Sequence, residues 1–348
     1  MLAPLLITAC DTGTANYLAP ALPHLRQPWK AFVHGEASEV FAQHGLPCKL
    51  VERCDWDGLD ALGQEILSTD GYGAVIAGTS WGPTLDKAVT LAARSKGLRS
   101  IAIIEHWSRY RERFARIADG RCTDIDGFLP DEIWVNDETA KQEAAAAGLP
   151  ALSLRVVGQP HLEAQYGRLS RHVNVVRDKS AVFVSERFAD HFLRGTPLDL
   201  GFDEFKAVEG LIAAMAPDYR LIIKLHPQDE PNKYDYLAAR GVRAEVIRNC
   251  DSVQMITSAG HIVGMMSMLL LEAALVRDDV VSFMPGGRPV EFVGNRIGAT
   301  RVATTTLELA TILAAEPAAS TPDRGFGRRF AGSAQRVTAA LGELTACV

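Results

Sequence analysis

Three groups of residues combine reactive side chains with a costly setting. Lys224-Leu225-His226-Pro227 ends the apolar run RLIIKLHP (220–227). Strand alternation puts Lys224 and His226 on one face, away from Leu225. Two cationic or hydrogen-bonding nitrogens aimed together suit a diphosphate, or the charge that grows on a departing phosphate. Glu105 and His106 end the otherwise apolar run SIAIIEH (100–106), where a carboxylate and an imidazole are costly unless they face a functional or solvated cleft. They are the acid/base candidates. The third group, Asp11-Thr12-Gly13-Thr14-Ala15-Asn16, follows LLITA (5–9) as a short polar loop. Its glycine lets backbone approach a ligand. Asp11 is a second candidate base, and Thr12, Gly13 and Asn16 are candidate substrate contacts, although Thr12 or Thr14 equally suits a helix N-cap.

Weaker signals accompany these. Thr79 and Ser80, in GTSWGPT (78–84), suit sugar or phosphate contacts or capping. Arg109, with Arg111, Arg113 and Arg116, suits an anionic ligand, but such runs more often form solvated helix faces. Gly264 and Ser267 lead from a strand-like run into the apolar stretch MLLLEAALV, with Glu272 about a turn further on. Asp124-Ile125-Asp126 has the form of a metal-binding DxD but follows no apolar strand, and the six cysteines show no metal-ligand rhythm, so no metal is expected.

The elements that must position these residues follow from periodicity. Short apolar runs at 5–9, 31–35, 48–52, 74–79, 100–106 and 132–137 alternate with helical stretches, and two of these, LDKAVTLAARSKG and ETAKQEAAAAG, end in capping glycines. The same rhythm resumes at 181–186, 220–227, 244–249, 261–266, 279–284 and 301–305. The expected fold is α/β, two Rossmann-like doubly wound domains facing a central cleft, with a C-terminal helix. The expected division is an N-terminal domain at 1–165, a linker at 166–180, a second domain at 181–325 and a C-terminal helix at 326–348 that crosses back to the first domain. At 348 residues two domains are the natural prior. A net charge of −6 argues against a surface built for nucleic acid. The apolar start MLAPLLITAC has no basic residue ahead of it and is too short for a leader, and no run is long enough to span a membrane. A cytoplasmic protein is expected, with association at a membrane surface left open.

Together these residues resemble the GT-B fold of nucleotide-sugar glycosyltransferases and the related nucleotide-sugar 2-epimerases. The likeness is to bacterial enzymes of capsule, lipopolysaccharide and surface-glycan assembly. Lys-Leu-His-Pro at 224–227 is similar to their HP motif, and Gly264 to Ser267 with Glu272 to their serine motif. The resemblance implies that Lys224, His226, Pro227, Gly264, Ser267 and Glu272 bind a CMP- or UDP-linked sugar donor. It also implies that Gly158, Gln159 and Pro160 lie at an interdomain crossing. The acidic pair followed by glycine that serves as base in the sialyltransferase group has no equivalent here.

The leading expectation is a metal-independent glycosyltransferase moving a sugar from a nucleotide donor to a glycan or protein hydroxyl acceptor, with Glu105 or Asp11 as base. The alternative is a nucleotide-sugar hydrolysing 2-epimerase or hydrolase. A non-catalytic two-domain sugar-binding protein is the second alternative; it would not call for a Lys-His clamp.

Overall fold

A strand apolar along its whole length needs cover on both faces, which a parallel sheet flanked by helices supplies. The computed structural model describes residues 2–118, 121–124, 126–172, 175–191, 200–315 and 325–344. The chain divides into two compact units, Met1–Ala164 with Phe330–Val348, and Gln165–Arg329. Each is a Rossmann-like α/β unit built on its own parallel sheet.

In the first unit, β1 (Leu5–Ala9), β2 (Trp29–Val33), β3 (Lys49–Leu50), β4 (Ala74–Ala77) and β5 (Ser100–Ile104) lead to a small antiparallel pair, β6 (Arg116–Ala118) and β7 (Arg121–Thr123). The sheet then resumes with β8 (Glu132–Val135) and β9 (Leu154–Val156). Its order is β3-β2-β1-β4-β5-β8-β9, with every neighbouring pair parallel. Every residue of β1, β4 and β5 is buried, as their unbroken apolar sequences demand. The C-terminal helix Ser333–Glu343 adds Val337, Ala340 and Leu341, with Leu344 just beyond, to the core around Leu5, Ile7, Tyr17 and Leu18. Their i, i+3, i+4, i+7 spacing is one helical stripe.

The second unit carries β10 (Ser180–Val184), β11 (Arg220–Lys224), β12 (Ala244–Ile247), β13 (His261–Gly264), β14 (Val281–Phe283) and β15 (Arg301–Ala303). Their order is β12-β11-β10-β13-β14-β15, again parallel throughout. In both sheets the order reverses beside the first strand, and the C-terminal strand ends at such a switch point are where ligands bind in open α/β sheets.

The polar stretch at 166–180 begins inside the helix Pro160–Leu169, followed by a 3₁₀ turn at Ser170–His172. Leu162 and Leu169, two turns apart, are fully buried, a stripe too sparse to stand out in a basic sequence. Of the DxD triplet, Ile125 lies outside the described residues, and Asp126 is held by Arg111 at 3.0 and 2.5 Å. Among the described residues no helix is long and apolar enough to cross a membrane.

Candidate active site

The first unit gathers its chemistry at the β1/β4 switch. Asp11 follows β1 and caps the helix Thr12–Leu18, its Oδ1 accepting from the Thr14 N–H at 2.8 Å. Its Oδ2 accepts from the Ser80 hydroxyl, after β4, at 2.5 Å. Asp86, in the first turn of the helix Leu85–Lys96, is fully buried. Its Oδ1 accepts from Thr8 Oγ1 at 2.7 Å and from the Gly78 N–H at 3.1 Å, while Oδ2 has no hydrogen-bond partner. Burial, with the nearby Asp11 charge, pushes the Asp86 carboxyl up. Lys87, also buried, donates to the Ser80 carbonyl at 2.8 Å, and desolvation pushes its ammonium down to about 8.

Glu105 leaves the sheet just beyond β5. Its side chain is 12% exposed and faces Arg113, 6% exposed, at 3.3 Å through Oε1. Burial raises its carboxyl above the ordinary range; Arg113 opposes this and Asp11 adds to it. Oε2 is shielded and has no hydrogen-bond partner. Gly13 makes room for both carboxylates. A Cβ there would stand 3.1 Å from Glu105 Oε1 and 3.4 Å from Asp11 Oδ1, so a larger residue would crowd the pair. Gly78 is tighter, since its Cβ would fall 2.6 Å from Thr14 Oγ1 and 2.9 Å from Asp86 Oδ2.

The other expected residues of this unit divide by what holds them. Thr79 Oγ1 donates to the Ile103 carbonyl at 2.9 Å and accepts from Arg113 at 3.2 Å, so both it and Ser80 are committed to the carboxylate network. Thr12 and Asn16 are half-buried in the helix that Asp11 caps. His106 lies beyond β5 with Nδ1 3.0 Å from Ser108 Oγ. Arg109 has a left-handed backbone, φ 53, and its side chain reaches Glu112 at 3.9 Å. Gly158, Gln159 and Pro160 follow β9. Gly158 accepts from the buried Tyr17 hydroxyl at 3.0 Å, and Gln159 donates to the Glu105 carbonyl at 2.9 Å.

The second unit arranges its switch differently. Lys224 ends β11 with its ammonium on the Leu225 carbonyl at 2.7 Å, and desolvation lowers it. The His226 N–H donates to Asp229 Oδ2 at 2.9 Å, and His226 Nδ1 accepts from the Gln228 N–H at 3.2 Å, so a neutral ring carries its proton on Nε2. Pro227 is exposed at the turn. Asp229 also accepts from Ser185 at 2.7 Å and from Lys233 at 2.7 Å. Burial alone would raise it, but these donors outweigh burial and hold its carboxyl below the usual range. Lys233 further meets the fully buried Glu204 at 2.6 Å.

Gly264 ends β13 and packs on β10; a Cβ would meet Val184 Cβ at 3.1 Å. Ser267 caps the helix Met268–Ala274, accepting from the Leu269 N–H at 3.2 Å, and Glu272 lies half-buried in that helix. The amides just before Ser267 are already occupied. Glu186, at the end of the β10 run, accepts from the Met265 and Met266 N–H groups at 3.2 and 2.9 Å, and burial pushes it up to about 7.

Asp86, Glu186, Asp229 and Lys233 lie at these strand ends but are not singled out by the sequence, and Arg113, named there only within an arginine run suited to an anionic ligand, is buried against Glu105. Glu186 carries the same signal as Glu105, an acid ending an apolar run, and that signal would have found it. Asp86 is hidden because an acidic residue in a first helical turn ordinarily faces solvent.

No family model matches the chain, and no curated protein matches it in sequence. Solved structures do match in fold. The Methanocaldococcus jannaschii UDP-GlcNAc 2-epimerase, solved with UDP-GlcNAc and UDP, superposes with a TM-score of 0.65 at 16% identity, covering 98% of this chain and 99% of its own. S. aureus MnaA with UDP gives 0.67 at 15% identity, covering 100% and 98%. The Neisseria meningitidis UDP-GlcNAc 2-epimerase bound to UDP-GlcNAc gives 0.64 at 13% identity, covering 98% and 100%. The fold is GT-B. Sugar transfer to a hydroxyl acceptor, the leading expectation from sequence, is corrected here: several of the structural neighbours are UDP-GlcNAc 2-epimerases, and they favour the reading held as the alternative.

Proposed function

We propose that the protein is a nucleotide-sugar 2-epimerase of the hydrolysing type, acting in the cytoplasm on a UDP-linked 2-acetamido sugar. The full-length likeness to UDP-GlcNAc 2-epimerases carries this reading. The chemistry it requires suits the first unit's carboxylates. A C2 hydrogen in a glycosyl diphosphate has no adjacent carbonyl to acidify it, so a carboxylate removes it only if the C1–O bond breaks too. The C2–H pair becomes a C1–C2 double bond, and the C1–O pair leaves on the diphosphate. Returning a proton to the opposite face inverts C2, and water adding at C1 gives the free epimer. Glu105, buried with a raised pKa and one unpartnered oxygen, suits the proton transfer; Asp11 is the second carboxylate. Lys224 and His226 suit charge on a departing diphosphate, whereas the Ser267 turn already spends its amides on Glu186.

Incubation with UDP-GlcNAc in D₂O, followed by NMR, tests this. The expected result is deuterium at C2 together with UDP release and a free epimerised sugar. UDP release without deuterium would leave a simple hydrolase, and neither event would remove the reading.

A further inference from the structure

Arg113 stands among arginines at 109, 111, 113 and 116 whose sequence suggests a solvated face. It is instead buried. Its Nε donates to the Ser108 carbonyl at 3.1 Å, and its Nη1 is directed at the Thr79 carbonyl at 3.4 Å, Thr79 Oγ1 at 3.2 Å and Glu105 Oε1 at 3.3 Å. Thr79 is fixed in turn by its bond to the Ile103 carbonyl. A guanidinium tied to the loops after both β4 and β5 pins one oxygen of Glu105. The other, Oε2, is shielded from solvent without a hydrogen-bond partner. Such an oxygen is rare and costly in a folded chain, and it marks where a group from outside would bind.

We infer that Arg113 is a positioning residue, which keeps Glu105 ionised and turned so that Oε2 is the oxygen that exchanges a proton with substrate. The identity of that proton rests on the proposed epimerase reading; the control of Glu105 ionisation does not. The charged and titratable groups facing Glu105 are Arg113 from the 112–114 turn, Asp11 from the loop after β1, and Tyr17 from the helix Thr12–Leu18. Burial and Asp11 raise the carboxyl, Arg113 lowers it, and Tyr17 is a phenol kept neutral by its own burial. Without Arg113 the raising influences of burial and Asp11 lose their main opponent.

The test compares wild type with Arg113→Met and Arg113→Lys by kcat/KM against pH and by ¹³C NMR titration of the Glu105 carboxyl, assigned with Glu105→Gln. The Met variant is expected to move the acid limb and the Glu105 midpoint upward by about one pH unit or more, with a loss that approaches about tenfold on the acid side of the profile and recovers as pH rises. The Lys variant should restore the midpoint but only part of the rate, because an ammonium lacks the planar fork. An unmoved midpoint in the folded Met variant overturns the inference, as does a loss equal at every pH. Should the Met variant fail to fold, the Lys variant decides through its pH profile and NMR: a wild-type midpoint with reduced kcat supports the inference, and an unchanged kcat overturns it. The NMR midpoint is read without turnover. A protein that does not process UDP-GlcNAc would therefore remove the epimerase reading, while the Glu105 midpoint would still decide the role of Arg113.

Discussion

The two units use one fold to surround buried carboxylates with different partners. In the second unit Asp229 is answered by Lys233, Ser185 and a backbone N–H, Glu186 by two amides, and Glu204 by the Ala189 N–H on one oxygen with the Lys233 ammonium beside the other, although that oxygen makes no hydrogen bond. In the first, Asp86 and Glu105 each keep one buried oxygen with no hydrogen-bond donor, beside a third acid, Asp11. A satisfied buried network rigidifies its surroundings, whereas a half-satisfied one is costly unless something arrives to complete it. The contrast therefore separates a rim whose acids mostly find donors within the chain from a rim that leaves buried carboxylate oxygens of Asp86 and Glu105 without one. It also shows why parallel α/β units are reused: the strand ends supply positions, and a few side chains decide the chemistry.

The contrast breaks most sharply at Glu105. Glu105→Gln keeps the volume and loses the base, so turnover of UDP-GlcNAc and C2 deuterium exchange should fall by about a thousandfold or more while the circular dichroism spectrum is kept. A folded variant with near-normal exchange would return the proton chemistry to Asp11.

Glu186 tests the other side. Its folded pKa, about 7, lies above the ordinary 4.5. Below 4.5 both folded and unfolded forms hold the proton and nothing is lost. Between 4.5 and 7 the unfolded chain ionises first, so stability falls as pH rises, and above 7 the penalty is complete. Glu186→Gln stays neutral and still accepts from the amides. It should match wild type in chemical denaturation near pH 4 and exceed it at pH 8 by at most about 3 kcal/mol. Equal stability at both pH values would mean that Glu186 is not held in the costly state described.

The strands were legible because parallel strands buried on both faces are unbroken apolar runs. Each of the twelve runs overlaps a strand, and the three strands that fall outside them, β9 and the antiparallel pair β6 and β7, are only three residues long each. The polar residues at 105–106, 185–186 and 226 lie beyond the strand ends, and this places them at the rim. The carboxylate candidates were legible for the same reason, an acid ending an apolar run. What joins them was not. Arg113 and Asp86 are buried through contacts 34 and 78 residues away in sequence, and local spacing carries no trace of such partners. The commitment of Ser80 to Asp11 is equally non-local, 69 residues apart, which is why a capping or ligand role for each was undecidable from the sequence.

The smallest effect is expected at His226, where the second unit would meet charge rather than move protons. The ring is oriented by the Gln228 N–H on Nδ1, and its backbone is pinned by Asp229, so Nε2 carries the proton that would address a phosphate oxygen. One charge-assisted hydrogen bond to a leaving group is worth about 1.5–3 kcal/mol, so His226→Ala should lower turnover at least about tenfold. If the bond strengthens as the diphosphate departs, the loss appears in kcat with KM little changed; if it only holds the ground state, KM rises and kcat stays. Wild-type values for both would remove His226 from the nucleotide site and leave the His226 loop as scaffolding for Lys224. Because His226 is gripped through its backbone N–H, which alanine retains, the Asp229 network survives the substitution, and the measured change reports the imidazole together with its Gln228 contact.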